Sequence, residues 1–261
     1  MINEKKIKAI VVCKYPKNSK EAGVCRLIYH PGFEFKYAWK NTLIKKDLKN
    51  IDIVISVGGD GTALSAAHYL FDGPILIVNS SPKKSVGALS TINIDEIDEK
   101  LNQIKKGNYK IEKLERIKIY LNNKILEPMA LNEVFIANEK AYLISKYKLK
   151  IKTKIKIKEE KQFSSGLIFS TGTGSTAWFK SAGRKPFSPQ SRFIKMFVRE
   201  PYFGKLHGFS ILNHAMKENE SVEVIPLTNS VLAIDSNREF NLKVGDKVRI
   251  KISRHPLLRI R

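Results

Sequence analysis

Ile53-Val54-Ile55-Ser56-Val57-Gly58-Gly59-Asp60-Gly61-Thr62 is the stretch on which the fold turns. Ile53 to Val57 is rich in Ile and Val and reads as a buried strand. Three glycines and one carboxylate follow, and Ala63 to Leu70 then reads as a helix. Strand, Gly-rich turn and helix together offer bare backbone N–H groups and a helix N-terminus to a phosphate. Asp60 stands apart, because a carboxylate repels phosphate. It suits a base on an attacking hydroxyl, or a clamp on a sugar hydroxyl or metal. A tight turn that favours Asp for its local hydrogen bonds is the plainer alternative. The double Gly directly after a buried strand favours a site.

Working outward, Ile7 to Cys13 reads as a first strand, and Lys14 to Gly32 as a stretch broken by turns at Pro16, Gly23, Pro31 and Gly32. Phe35 to Lys49 reads as an amphipathic helix, with Phe35, Ala38, Trp39, Leu43, Ile44 and Leu48 near one face. Pro74 to Asn79 is another short apolar strand. Ile94 to Lys106 reads as a helix with Asp95 as its cap and Gly107 just past its end. Buried strands alternating with helices predict an α/β fold with a parallel sheet, whose ligands sit at the carboxyl ends of the strands. Asp60 and Asn79 both lie there.

After Gly107 the pattern changes to strands: Tyr109 to Leu121, Lys124 to Ala137, Gly166 to Ser170, Ser221 to Pro226, Val231 to Ile234, Glu239 to Leu242 and Lys247 to Ile252. From Tyr142 to Lys158, Leu149, Ile151, Ile155 and Ile157 alternate with Lys148, Lys150, Lys152, Lys154, Lys156 and Lys158. Period two predicts one buried and one solvated face. The expected organisation is an α/β domain over 1–107 and a mainly β domain over 108–261.

The chain has 261 residues, 43% of them hydrophobic, which is globular composition and enough to bury a good core. No apolar run approaches membrane-span length. The N-terminus, charged to Lys8, has no apolar signal core, so the expected location is cytoplasmic. Cys13 and Cys25 have no metal spacing and are read as reduced. The formal net charge of +22 draws polyanions, although lysines dispersed along a chain also solubilise it.

Two further motifs carry polar chemistry. Asn132-Glu133 places an amide and a carboxylate at the start of an apolar strand. Ser170-Thr171-Gly172-Thr173-Gly174-Ser175-Thr176-Ala177-Trp178 sets two glycines among hydroxyls after the strand Leu167 to Phe169. It reads as a flexible, donor-rich turn with an aromatic plane behind it, or as a polar loop with helix-capping Ser and Thr.

Gly-Gly-Asp-Gly-Thr resembles the signature shared by NAD kinases, the diacylglycerol and sphingoid lipid kinases, and 6-phosphofructokinases. The Asn132-Glu133 pair resembles the Asn-Glu pair of NAD kinases in its distance from Asp60 and its apolar setting. Ser170 to Trp178 resembles their Thr-Pro-Thr-Gly-Ser-Thr-Ala-Tyr segment, with Gly172 for Pro and Trp178 for Tyr. The other kinases lack this third motif, so NAD kinase is the family resembled. Phe197-Val198-Arg199-Glu200-Pro201, and Ala233-Ile234-Asp235 ahead of Gly245-Asp246, resemble the branch that includes the mitochondrial-type enzymes. Three positions depart from the pattern. Ser165 stands where most members have a substrate-binding Asp, Ser236 follows Asp235 in place of Gly, and the loop after Asn79 is longer and more basic.

The resemblance implies transfer of a phosphoryl group from ATP to the 2′-hydroxyl of the adenosine ribose of NAD. It implies Asp60 as the catalytic group. NAD would be bound by Asp60, Gly61, Asn132, Glu133, Thr173, Thr176, Ala177, Trp178 and Ser181. Phosphates would be bound by Gly58, Gly59, Gly61, Thr62 and Asn79, with Lys83 or Lys84 meeting the donor. Mg²⁺ would arrive with the donor phosphates, with no metal-ligand set on the protein, and the assembly would be a homodimer or homotetramer. A lipid or other small-molecule kinase sharing the Asp60 motif is the alternative enzyme. A basic nucleic-acid-binding protein is the alternative of another class, but no RRM-, KH- or helix-turn-helix-like signature accompanies the charge.

Overall fold

The computed structural model describes residues 5–15, 25, 28–83, 87–204 and 208–261, which form two compact units. The first comprises residues up to Lys113 together with Leu257–Arg261, and the second comprises Leu114–Pro256. The division expected at Gly107 lies several residues later, and the last strand returns to the first unit. Tyr109 to Leu121, read as one strand, is two: β6 (Ile111–Leu114) and β7 (Ile117–Leu121).

In the first unit, β1 (Ile7–Cys13), β3 (Ile53–Gly58) and β4 (Pro74–Asn79) are apolar runs buried almost throughout. Such runs need cover on both faces, which parallel central strands receive. The order is β2-β1-β3-β4-β19-β6, where β2 is Phe33–Trp39 and β19 is Leu257–Ile260. A two-residue strand, β5 (Ile92–Asn93), pairs with β4. Helix α1 (Asp60–Tyr69) follows β3, and α2 (Ile97–Lys105) buries Ile97, Leu101 and Ile104 along one stripe.

The amphipathic helix expected over Phe35–Lys49 is absent. Phe33 to Trp39 pairs in parallel with β1 along its whole length, and only a 3-10 turn, Lys45–Leu48, follows. Phe33, Phe35, Tyr37 and Trp39 alternate with Glu34, Lys36 and Ala38, so a period of two, strengthened by aromatic strand preference, overrides the looser helical spacing. The cap before α2 also differs. Asn93, not Asp95, caps a 3-10 turn, Ile94–Glu96, that leads into α2, and the Glu96 carboxylate accepts the Asn93 N–H at 2.7 Å; Glu96 is the N-cap of α2 itself.

The second unit contains two six-stranded antiparallel sheets. One runs β11-β10-β15-β18-β7-β8 and the other β14-β13-β12-β9-β16-β17. In chain order the strands are β8 (Lys124–Ala130), β9 (Glu133–Asn138), β10 (Ser145–Lys152), β11 (Ile157–Ser164), β12 (Gly166–Ser170), β13 (Ile194–Arg199), β14 (Asn213–Met216), β15 (Ser221–Pro226), β16 (Ser230–Ile234), β17 (Arg238–Leu242) and β18 (Val248–Ile252). Ile119, Leu149 and Val224 from the first sheet share one core with Val134, Leu167 and Leu232 from the second.

Alternation of Lys with apolar residues ends at Lys152. Tyr147, Leu149 and Ile151 are buried while Lys146, Lys148 and Lys152 are exposed. Thr153 then turns the chain, its hydroxyl donating to the Lys156 carbonyl at 3.0 Å. Ile155 therefore sits on a hairpin tip at 95% exposure and Ile157 at 56%, where the pattern put both inside.

Candidate functional site

Two clusters of polar groups, one in each unit, hold the residues singled out from the sequence. In the first unit the helix begins earlier than expected: Gly59 is its N-cap and Asp60 its first residue. The Asp60 carboxylate, favoured at that position by the helix dipole, accepts the Leu89 N–H through Oδ1 at 3.0 Å and the Ala88 N–H through Oδ2 at 3.2 Å. Leu89 is secured from its other side, since its carbonyl accepts Nη1 of Arg259 at 2.9 Å, and the buried Arg259 pairs with Glu112. Asp60 is thus held in one rotamer. A carboxylate with about four lone-pair sites keeps acceptor capacity beyond these two bonds.

The neighbouring glycines divide by task. Gly61 is exposed, with open space where a Cβ would stand, so a ligand can approach its backbone. Gly58 is a packing glycine, because a Cβ there would collide with the Thr62 side chain. Gly59 is partly exposed at the cap.

Thr62 and Asn79 depart from the expected phosphate-binding role. Thr62 is 2% exposed and its N–H is committed to the Gly59 carbonyl at 2.9 Å. Asn79 is 4% exposed, its Oδ1 accepts the Ser81 N–H at 3.0 Å, and its amide nitrogen lies where a Gly87 side chain would stand. Both residues fasten the loops after β3 and β4 from inside. Lys83 is exposed, and Lys84 lies outside the described residues.

In the second unit, Asn132 and Glu133 stand where the chain enters β9. Thr171 donates its hydroxyl to the Leu131 carbonyl at 2.6 Å and its N–H to the Asn132 carbonyl at 2.9 Å. A Cβ on Gly174 would collide with the Asn132 carbonyl, and one on Gly172 with the Ser188 carbonyl. These glycines serve close backbone approach, so the loop is packed, not the flexible turn expected. Its hydroxyls mostly turn inward: Ser175 Oγ donates to the Gly172 carbonyl at 2.7 Å or the Phe187 carbonyl at 2.8 Å.

Three buried side-chain atoms in this cluster have no partner: Asn132 Oδ1, Glu133 Oε2 and Thr173 Oγ1. Burial, then the nearby Asp235 carboxylate, push the Glu133 carboxyl up to about 8, while the Ser236 hydroxyl acts in the opposite direction. Glu133 and Phe135 alternate onto one face of β9, and the Trp178 ring lies 4.6 Å from that of Phe135. The Arg199 guanidinium stands 5.7 Å from the Trp178 ring. Thr176 and Ser181 are exposed, Ala177 and Trp178 half-buried. Asp235, in the sequence a mark of a family branch, accepts backbone N–H groups of this turn.

Among the described residues no group of three or more His, Cys, Asp or Glu side chains is placed to hold a metal ion. No helix of the described chain is long and apolar enough to cross a membrane.

Comparison with known proteins gives concordant matches. Residues 3–109 match the model of the ATP-NAD kinase N-terminal domain, and residues 131–261 that of the ATP-NAD kinase C-terminal domain. An NAD kinase of Thermoplasma volcanium is 30% identical over 80% of this chain and 74% of its own length. An NAD kinase of Campylobacter lari is 27% identical over 98% of this chain and 91% of its own. Among solved structures, yeast NADH kinase complexed with NADH superposes with a TM-score of 0.80 at 16% identity, covering 99% of this chain and 84% of that one. An NAD kinase from Archaeoglobus fulgidus in complex with ATP gives 0.73 at 22% identity, covering 98% and 94%.

Proposed function

The chain belongs to the NAD kinase family, and from that premise we propose that it transfers the terminal phosphoryl group of ATP to the 2′-hydroxyl of the adenosine ribose of NAD, giving NADP. The observation that carries this reading is the set of unpaired buried atoms on Asn132, Glu133 and Thr173 beside the half-buried Trp178. An orphaned buried polar atom costs about 1–3 kcal/mol, which a nucleoside with matching donors and acceptors recovers on binding.

In this mechanism Asn132, Glu133 and Thr173 bind the ribose and base of NAD, and Trp178 with Ala177 walls them. Thr176 and Ser181, both exposed, complete the rim. Asp60 accepts the proton of the 2′-hydroxyl as the oxygen attacks the γ-phosphorus and the bond to the β,γ-bridging oxygen breaks. Phosphoryl transfer asks the protein for position and charge neutralisation more than covalent chemistry. The backbone at Gly59 and Gly61 faces phosphate, and Lys83 offers charge to the donor. Mg²⁺ keeps most of its water and binds through substrate phosphates with at most one or two carboxylates. Magnesium, when bound, would neutralise charge on the donor.

A homodimer or homotetramer is part of the proposal, supported by the exposed Ile155 and Ile157 on the β10–β11 hairpin. So is kinship with the mitochondrial-type branch, which rests on Phe197–Pro201 and Ala233–Asp235.

The test is turnover of purified protein with ATP and either NAD or NADH, scored as 2′-phosphorylated product. Asp60→Asn keeps the side chain's shape and removes the proton acceptor, so kcat should fall by at least about 10²-fold while NAD still binds. Near-normal kcat in that variant would remove Asp60 from the chemistry.

A further inference from the structure

The polypeptide around Asn132 and Glu133 is gripped from both sides. On one side stand Thr171 and Gly174, as described. On the other, β16 is followed by Asp235 and Ser236, two consecutive non-glycine residues with φ of 50° and 53°. That reversal turns the Asp235 carboxylate, 4% exposed, back onto the turn. Its Oδ2 accepts the Leu131 N–H at 2.8 Å, and its Oδ1 accepts the N–H groups of Asn132 at 2.7 Å and Glu133 at 3.0 Å. The Asp235 N–H in turn donates to the Glu133 carbonyl at 3.0 Å.

Successive N–H groups converging on one point make an anion cradle. Here the anion is the protein's own carboxylate, and charge-assisted bonds of this kind are the stronger class. With the backbone so occupied, the side chains of Asn132 and Glu133 are left with unpaired atoms. We propose that Asp235 is a positioning residue for the nucleotide-binding pair: by holding three consecutive backbone N–H groups it sets where the Asn132 amide and the Glu133 carboxyl present themselves to NAD. It touches neither substrate nor donor.

A second consequence reaches Glu133 through space. Asp235 is the ionisable group facing it. Strands β12 and β16, which flank β9, carry no ionisable side chain, and neither does the Thr171–Gly174 loop. Burial first, and then the anion that secures the turn, hold the adjacent acid toward its protonated form, able to donate a hydrogen bond as well as accept one.

The inference rests on the reading that Asn132 and Glu133 bind NAD. Titration calorimetry of the wild-type protein with NAD checks that premise separately, since no binding there defeats the proposed function itself. Asp235→Asn nearly preserves volume but exchanges one acceptor for a donor facing N–H groups. It should raise KM for NAD at least tenfold while kcat at saturating NAD stays within about threefold. The pH above which NAD affinity changes should also move downward, because the charge opposing ionisation of Glu133 is gone. A purely structural residue would lower the melting temperature and leave both readouts in place. A folded Asp235→Asn protein with KM within twofold of wild type and an unmoved pH midpoint overturns the proposal. Should Asp235→Asn fail to fold, Thr171→Val decides. It removes the bond to the Leu131 carbonyl from the other side and should likewise raise KM several-fold with kcat retained. An unchanged KM there overturns the proposal equally.

Discussion

Replacing Glu133 with Gln isolates the titration of one buried acid. In the folded chain its carboxyl is pushed up to about 8, whereas an unfolded Glu titrates near about 4.3. Between those values the folded protein holds the proton and the unfolded chain releases it. Stability is therefore full below the unfolded value, falls as pH rises, and levels off above about 8. From pH 6 to pH 8 the loss spans about two units at about 1.4 kcal/mol each, or about 3 kcal/mol. Glu133 is 4% exposed, so solvent screening takes little from that figure. Gln keeps the shape and has no proton to lose. Denaturant unfolding of both proteins at pH 6 and pH 9, followed on the second unit, gives a difference of differences in which every other titrating group cancels. Wild type should lose about 3 kcal/mol more than the variant across that window. A differential below about 0.5 kcal/mol, within the error of extrapolation, would mean that Glu133 titrates as an exposed acid and would refute the account of its burial beside Asp235.

Gly174→Ala drives a Cβ into the Asn132 carbonyl, which Asp235 prevents from yielding; overpacking of about 1–3 kcal/mol should appear as a lower melting temperature together with a raised KM for NAD, and a variant unchanged in both refutes the close-approach role. Trp178→Ala should raise KM for NAD by the equivalent of about 1–3 kcal/mol if the ring stacks on a base, with a melting loss limited by the Phe135 contact to about 0.5–1.5 kcal/mol. A melting loss with unchanged KM would make Trp178 a packing residue alone. Replacing Lys148, Lys150 and Lys152 by Gln should leave kcat/KM and its salt dependence unaltered, since Lys150 pairs with the exposed Glu159 at 3.2 Å, a contact worth about 0–1 kcal/mol. A loss seen at low salt and abolished at high salt would place that face in nucleotide capture.

What the sequence disclosed followed from local signals. The buried strand, the glycines and Asp60 share one short stretch, and the second-unit strands announce themselves by period two. The β2 strand was misread because six apolar residues between Phe35 and Leu48 also satisfy a helical spacing, and single-stretch periodicity does not separate the two when aromatics supply both patterns. Ile155 and Ile157 kept the alternation in sequence after the chain had already turned at Thr153. Asp60 was legible as a polar residue at a strand end. Its two N–H partners at Ala88 and Leu89 were not, since they depend on a loop returning from nearly thirty positions away. Asp235 was further from view still: its significance lies in backbone groups about a hundred residues earlier, which no side-chain pattern records.

The strand β19 carries a consequence for synthesis. It hydrogen-bonds in parallel with β4, Leu258 opposite Pro74, and separates β4 from β6 in the first sheet. A ribosome delivers it only after the entire second unit has emerged. Until then the nascent first sheet has a gap between β4 and its edge strand β6, with Glu112 awaiting Arg259 and Leu89 without the guanidinium that secures its carbonyl. The loop that orients Asp60 is thus completed last, so that carboxylate acquires its final support only once both units have been translated.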